Sequence, residues 1–148
     1  MKSLLLFTAV ILLTSVNWPE AEPVRRTLRL EVANVKAAQG KIWVGIYRSE
    51  ADFLDREKAQ LLYVEVMTTG RAYVDIPDLI IGQEYALGIF HDVNDNGEFD
   101  TNWLGLPAEP WAFSGEPKTR LRLPRFKEVS FHFTETAQGK HILRLRKW

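Results

Sequence analysis

The chain contains no cysteine. That excludes disulfides, Cys-ligated zinc, iron–sulfur clusters, thiol catalysis and acylation at a lipoprotein cysteine. It has no net charge, with 19 Lys+Arg against 19 Asp+Glu, which argues against a dedicated nucleic-acid binder. Histidines number only three and are widely spaced, so zinc is not expected. Beyond the first few residues the sequence has no long apolar run. The mature chain is therefore expected to carry no membrane span. The 148 residues suit one domain of ordinary size, able to fold without covalent staples.

The one apolar run is Leu4 to Val16, preceded by the short basic segment Met1-Lys2-Ser3. A spanning helix needs roughly 20 apolar residues. This run is shorter and fits a signal-peptide core. The expected signal peptide covers 1–21, with Ala21 an acceptable last residue, although Pro19 is not the usual small residue at its place. An uncleaved anchor is the alternative. Export to the periplasm or the outside of the cell is the expectation, with a single β-domain over 22–148.

From Val24 the residues alternate with period two. Leu28, Leu30 and Val32 alternate with Arg29 and Glu31, as in a half-buried strand. Ile42, Val44 and Ile46 alternate with Trp43, Gly45 and Tyr47, a strand with two usable faces. Further strands are expected over Leu62–Met67, Arg71–Ile76 (ended by Pro77-Asp78), Glu84–His91, Val129–Thr134 and His141–Arg146. Turns are expected at Gln39-Gly40, Thr69-Gly70 and Gly139, and Gly82 precedes the strand from Glu84. Seven short strands punctuated by turns predict an all-β, antiparallel β-sandwich.

His91 to Arg125 breaks this pattern. Loops longer than about 15 residues are uncommon in compact domains unless they are functional or disordered. Phe99, Trp103, Leu104, Leu106, Trp111 and Phe113 are too many large apolar groups for a solvated linker, so one long ordered loop is expected. The charge map changes here too. Seven acids lie between Glu84 and Glu116, with no Lys or Arg among them. Nine Lys+Arg and two acids follow from Pro117 to Trp148. Side-by-side cancellation of the two blocks is the ordinary expectation; anion binding by Arg120, Arg122 and Arg125 is the alternative.

Asp92, Asn94 and Asn96 fall at alternate positions, Gly97 follows, and Asp100 comes three later. Alternating Asx residues let a short loop wrap oxygens around one point, and the glycine permits the sharp turn. Calcium, a hard cation taking six to eight oxygens, suits such a loop. The candidate ligands are Asp92, Asn94, Asn96, the backbone carbonyl of Glu98 and Asp100. The first half matches an EF-hand loop. The second does not, because Trp103 stands at the twelfth position, where that loop needs a bidentate Glu. Asp95, Glu109 or a water would have to complete the shell. Magnesium is disfavoured by its stricter octahedral geometry. The other reading is an Asx-rich turn that needs no metal.

Trp103, Trp111 and Phe113 form a candidate platform for a sugar ring or peptide, and Trp103, Glu109 and Trp111 are the candidate ligand-binding residues. The alternative gives them the loop's own small core. Ser114 lies in F-S-G rather than a nucleophile elbow, and no catalytic residue is assigned.

The chain resembles the bacterial exported domain-of-unknown-function family 2141. The resemblance rests on Phe90-His91-Asp92-x-Asn94-x-Asn96-Gly97-x-x-Asp100-x-Asn102, continuing through Gly105-x-Pro107-x-Glu109 to Phe113-Ser114. Val44-Gly45-Ile46-Tyr47 with Ser49 and Phe53, Gly82-x-x-Tyr85-Ala86 and Pro124-x-Phe126 add to it. It departs at Pro110 and Ala112, where the family often has glycine. The resemblance implies an immunoglobulin- or prealbumin-like β-sandwich outside the cytoplasm and no established activity. The expected role is a non-catalytic exported module whose partner is a cell-envelope protein or glycan. A carbohydrate-binding module and a metal-dependent hydrolase using Asp92, Asp100 or Glu109 are the alternatives.

Overall fold

The computed structural model describes residues 21–119, 122–136 and 141–147. All of the expected signal peptide except Ala21 lies outside them, as do Arg120 and the turn at Gly139. Eight strands are present among the described residues: β1 (Arg25–Val35), β2 (Lys41–Tyr47), β3 (Gln60–Glu65), β4 (Gly70–Ile80), β5 (Glu84–Asp92), β6 (Trp111–Phe113), β7 (Phe131–His132) and β8 (His141–Arg144). A single helical turn, α1, covers Phe126–Val129. No helix among the described residues is long and apolar enough to cross a membrane.

The strands form two sheets. One has the order β4-β1-β8; the other runs β3-β2-β5-β6, with β7 also pairing β5. The period-two pattern explains which side chains meet between them. Leu28, Leu30 and Val32 from β1, with Val74 and Ile76 from β4, share one apolar core with Ile42, Val44 and Ile46 from β2 and Tyr85, Leu87 and Ile89 from β5. Burying each Leu, Ile or Val contributes about 1.5–3 kcal/mol. The sole polar atom Tyr85 brings into this core is its hydroxyl, which accepts the Ile80 N–H at 2.9 Å.

Four expectations need correction. The strands number eight rather than seven, and one pairing, β1 with β8, is parallel rather than antiparallel. The extra strand, β6, lies inside the stretch that lacked a strand pattern. Three residues are too few for alternation to register, and β6 is held by β5, with Phe90 opposite Trp111 and Gly88 opposite Phe113. The expected strand over Val129–Thr134 shrinks to β7, because Phe126 and Val129 curl into α1 to bury their side chains against Tyr47 and Ala86.

Pro77-Asp78 does not end β4. Arg26 faces Leu79 and Leu28 faces Ile76, so β4 carries one extra residue there. Asp78 takes φ 60°, and the strand absorbs the proline as a bulge, where no ladder N–H is required.

Candidate functional site

The acidic loop is built outward from Asp92, the last residue of β5. Asp92 lies two residues beyond Phe90 on the same face, and its side chain is 0% exposed. Its Oδ1 accepts the Asn96 N–H at 3.1 Å, and its Oδ2 accepts the Gly97 N–H at 2.8 Å and the Trp43 indole N–H at 3.2 Å. The buried carboxylate thus gathers the turn onto the sheet. Asn94 Oδ1 also accepts the Asn96 N–H, at 3.2 Å, and Asn96 Oδ1 accepts the Glu98 N–H at 2.9 Å. These are Asx turns, in which a side chain stands in for a backbone carbonyl. Asp95 takes φ 57° and Gly97 φ 77°, as the reversal requires.

Asp100 closes the loop from the far end. Its carboxylate accepts the Asn94 side-chain amide at 2.8 Å and the Asn96 amide at 3.1 and 3.2 Å. Asp92, Asn94, Asn96 and Asp100 are therefore joined through one hydrogen-bonded unit. Glu98 joins it only through its backbone N–H on Asn96 Oδ1, and its side chain is exposed. Asp95 points outward to Lys41 Nζ at 2.7 Å. Among the described residues no three of His, Asp and Glu are grouped to hold a metal ion.

Glu109 supports the loop from beneath. It is 6% exposed. Its Oε1 accepts the Val93 N–H at 3.1 Å, and its Oε2 accepts the Asp100 N–H at 3.3 Å. Burial pushes its pKa up; the two backbone N–H groups oppose this, and the negative charges of Asp92 and Asp100 add to it. A raised folded-state pKa means the folded chain holds the proton more tightly than the unfolded chain. Its contribution is full below the ordinary glutamate pKa and is lost as pH rises through the folded value. The stability of the wild type relative to Glu109→Gln is therefore expected to be greater at pH 4.5 than at pH 7. Urea denaturation of both proteins at the two pH values tests the sign. A relative gain by the wild type at pH 7 would show the burial argument to be wrong.

The β1–β2 turn braces the same loop. His91 is buried, with Nε2 2.8 Å from the Gln39 carbonyl oxygen, and the Gln39 side-chain amide donates to the Val93 carbonyl at 3.1 Å. Downstream, Asn102 Oδ1 accepts the Leu104 and Leu106 N–H groups, at 2.9 and 3.1 Å.

Trp103 and Trp111 do not form a shared platform. Trp103 is 90% exposed, on the turn after Asn102. Trp111 is 8% exposed, 5.5 Å from the Phe113 ring and under the Arg146 guanidinium at 5.2 Å. Its indole N–H has no acceptor among the described residues.

The larger recess lies elsewhere, on the face of the β2–β5–β6 sheet turned away from the core. Outward positions of a two-sided sheet are ordinarily polar. Here they carry Trp43, Gly45 and Tyr47 on β2, Gly88 and Phe90 on β5, and Trp111 and Phe113 on β6. These residues line a cleft of about 470 Å³. Gly45 and Gly88 face each other across the ladder. A side chain at Gly45 would meet the Tyr47 ring, its Cβ standing 2.9 Å from the hydroxyl oxygen. At one end the face is covered by Phe53, Phe126 and Val129; at the other, Phe99 of the acidic loop lies 5.3 Å from Phe90. Sequence reading missed this cleft. Its signal was present in the bulky residues that β2 carries on both faces.

Side chains with potential for catalysis are engaged in structural contacts. Ser114 Oγ accepts the Leu87 N–H at 2.8 Å and donates to the Val129 carbonyl at 2.5 Å. His141 contacts the Ser114 carbonyl oxygen at 3.3 Å, not its hydroxyl, and burial lowers its pKa. The acidic and basic blocks meet at Glu84–Lys127 and at Glu116–Arg146 (3.0 Å). Arg122 binds Glu128 through two hydrogen bonds, of 2.7 and 2.9 Å, which with the Arg125 N–H lower the Glu128 pKa to about 2.

Residues 30–140 match the family described as "Uncharacterized protein conserved in bacteria (DUF2141)". The chain belongs to this family. The matched span takes in the Asp92–Asp100 loop, Glu109 and every described residue of the cleft lining. No curated protein and no solved structure matches the chain. DUF2141 membership accords with the two-sheet all-β architecture and names no reaction.

Proposed function

We propose that the protein is an exported, non-catalytic binding module with an immunoglobulin- or prealbumin-like β-sandwich fold. Its partner is a molecule of the cell envelope. The single observation that carries the non-catalytic reading is the engagement of every candidate acid. Asp92 accepts three hydrogen bonds, Asp100 accepts from two Asn side chains, and both Glu109 oxygens accept backbone N–H groups. A general acid or base must instead reach the proton it transfers. Export rests on the basic start and apolar run of the first residues.

A second reading concerns calcium. Asn94 and Asn96 each bring a side-chain amide within 2.8–3.2 Å of the Asp100 carboxylate; turning the two amides would present oxygens there, at the cost of the Asx-turn bonds to the Asn96 and Glu98 N–H groups. A cation could then replace the amide-to-carboxylate hydrogen bonds.

One experiment addresses both readings. The protein is screened against glycoside, ester and phosphoester substrates in calcium and in chelator, with the melting temperature recorded in each. No turnover is expected in either condition. Calcium is expected to raise the melting temperature, and Asp100→Ala to abolish the rise, because a ligand of the folded state alone must stabilise it. Hydrolysis that disappears in Glu109→Gln would refute the non-catalytic reading. Identical melting in calcium and chelator would refute the metal reading.

A further inference from the structure

We propose that the cleft on the outer face of the β2–β5–β6 sheet is a binding site for a small aromatic carboxylate, held by ring stacking and by Arg56. The outer sheet face explains the apolar half of the ligand. Trp43, Tyr47, Phe90, Trp111 and Phe113 turn rings or ring edges toward one recess, and the exposed Leu61 extends it along β3. A contiguous apolar recess left open to water marks an interaction site. Flat rings favour a flat ligand, because stacked and edge-to-face contacts add to the burial of area.

The charges around the cleft explain the anionic half. Among the described residues, the charged ones lining it are Arg56 and Arg122, with no acid. Arg122 is already paired with Glu128. Arg56 is different: its guanidinium lies over the Trp43 ring at 5.5 Å and makes no hydrogen bond or ion pair with the described residues. A guanidinium presents a planar fork of donors that matches a carboxylate. A ligand ring in the recess would place a carboxylate at its edge within this field.

This assignment rests on the binding-module reading, and the two fail separately: turnover sinks the former reading, while absence of binding sinks this one. The test titrates the full chain with 2-naphthoate and with its neutral analogue 2-naphthylmethanol, following tryptophan fluorescence and heat. Saturable binding of 2-naphthoate is expected, about fivefold tighter than the alcohol, the scale of one exposed charge pair. Arg56→Gln, at an exposed position, is expected to erase that preference. Leu61→Glu, also exposed, places an acid in the lining and is expected to weaken the carboxylate about tenfold. Circular dichroism checks that each variant is folded, and Arg56→Gln alone suffices if Leu61→Glu is not. No saturable binding of 2-naphthoate up to about 1 mM would overturn the proposal. So would equal binding of acid and alcohol, or an unchanged preference in Arg56→Gln.

Discussion

Asp92→Ala is expected to lower stability by about 3–4 kcal/mol, because it removes a fully buried carboxylate and leaves two part-buried donors without an acceptor at about 1–3 kcal/mol each. The Gly97 N–H and the Trp43 indole N–H lose the only acceptor each has among the described residues, while the Asn96 N–H keeps Asn94 Oδ1. The loss should appear as a melting temperature lower by about 6–16 °C, at roughly 2–4 °C per kcal/mol for a chain of this size. Asp92→Asn retains one acceptor oxygen and should lose less. Asp95 provides the control. It is exposed and paired to Lys41 at the surface, so Asp95→Ala should cost no more than about 1 kcal/mol. If Asp92→Ala melts within a degree of Asp95→Ala, the buried carboxylate does not organise the loop.

Gly40→Ala is expected to be nearly as damaging, by a different route. Gly40 has φ +72°, where an L side chain is strained. A Cβ there would stand 2.0 Å from the Asp92 carbonyl oxygen and 3.0 Å from Val93 Cα. Both obstacles are backbone, so no side-chain rotation relieves them. Strain at such positions costs about 1–3 kcal/mol before any clash, and the expected total is on the order of 3 kcal/mol. The Gly70 position separates the two contributions. It has φ +94°, but a Cβ there would have nothing within 4 Å. Gly70→Ala should therefore carry the conformational cost alone. Denaturant midpoints for the two variants would test this. Equal losses would mean that the packing of the β1–β2 turn on the acidic loop contributes nothing.

Both variants act on one junction, and the sequence disclosed only half of it. The Asx spacing from Asp92 to Asp100 was legible because each turn uses a side chain to bond backbone two to five residues away. The role of Glu109 was not, because nothing local ties it to Val93 and Asp100. Neither was that of Gly40, which read as an ordinary turn glycine. The close approach that forbids a side chain there comes from a strand about fifty residues later. Trp103 and Trp111 show the same limit. In sequence they are equivalent aromatic residues of one loop; in the fold one is exposed and the other lies beneath Arg146.

The sequence by itself determined the all-β class, the inward set of each long strand and the turn-rich order of the Asp92–Asp100 loop. Each follows from near-neighbour rules: alternation of side chains along a strand, turn chemistry, and the cost of exposing large apolar groups. Only the tertiary structure decided the parallel pairing of β1 with β8, the addition of β6 to the second sheet and the cleft on that sheet's outer face. Those features depend on which distant segments lie beside one another. A strand rich in bulky residues on both faces shows that both will be covered or used, but its neighbours decide which part stays open to water.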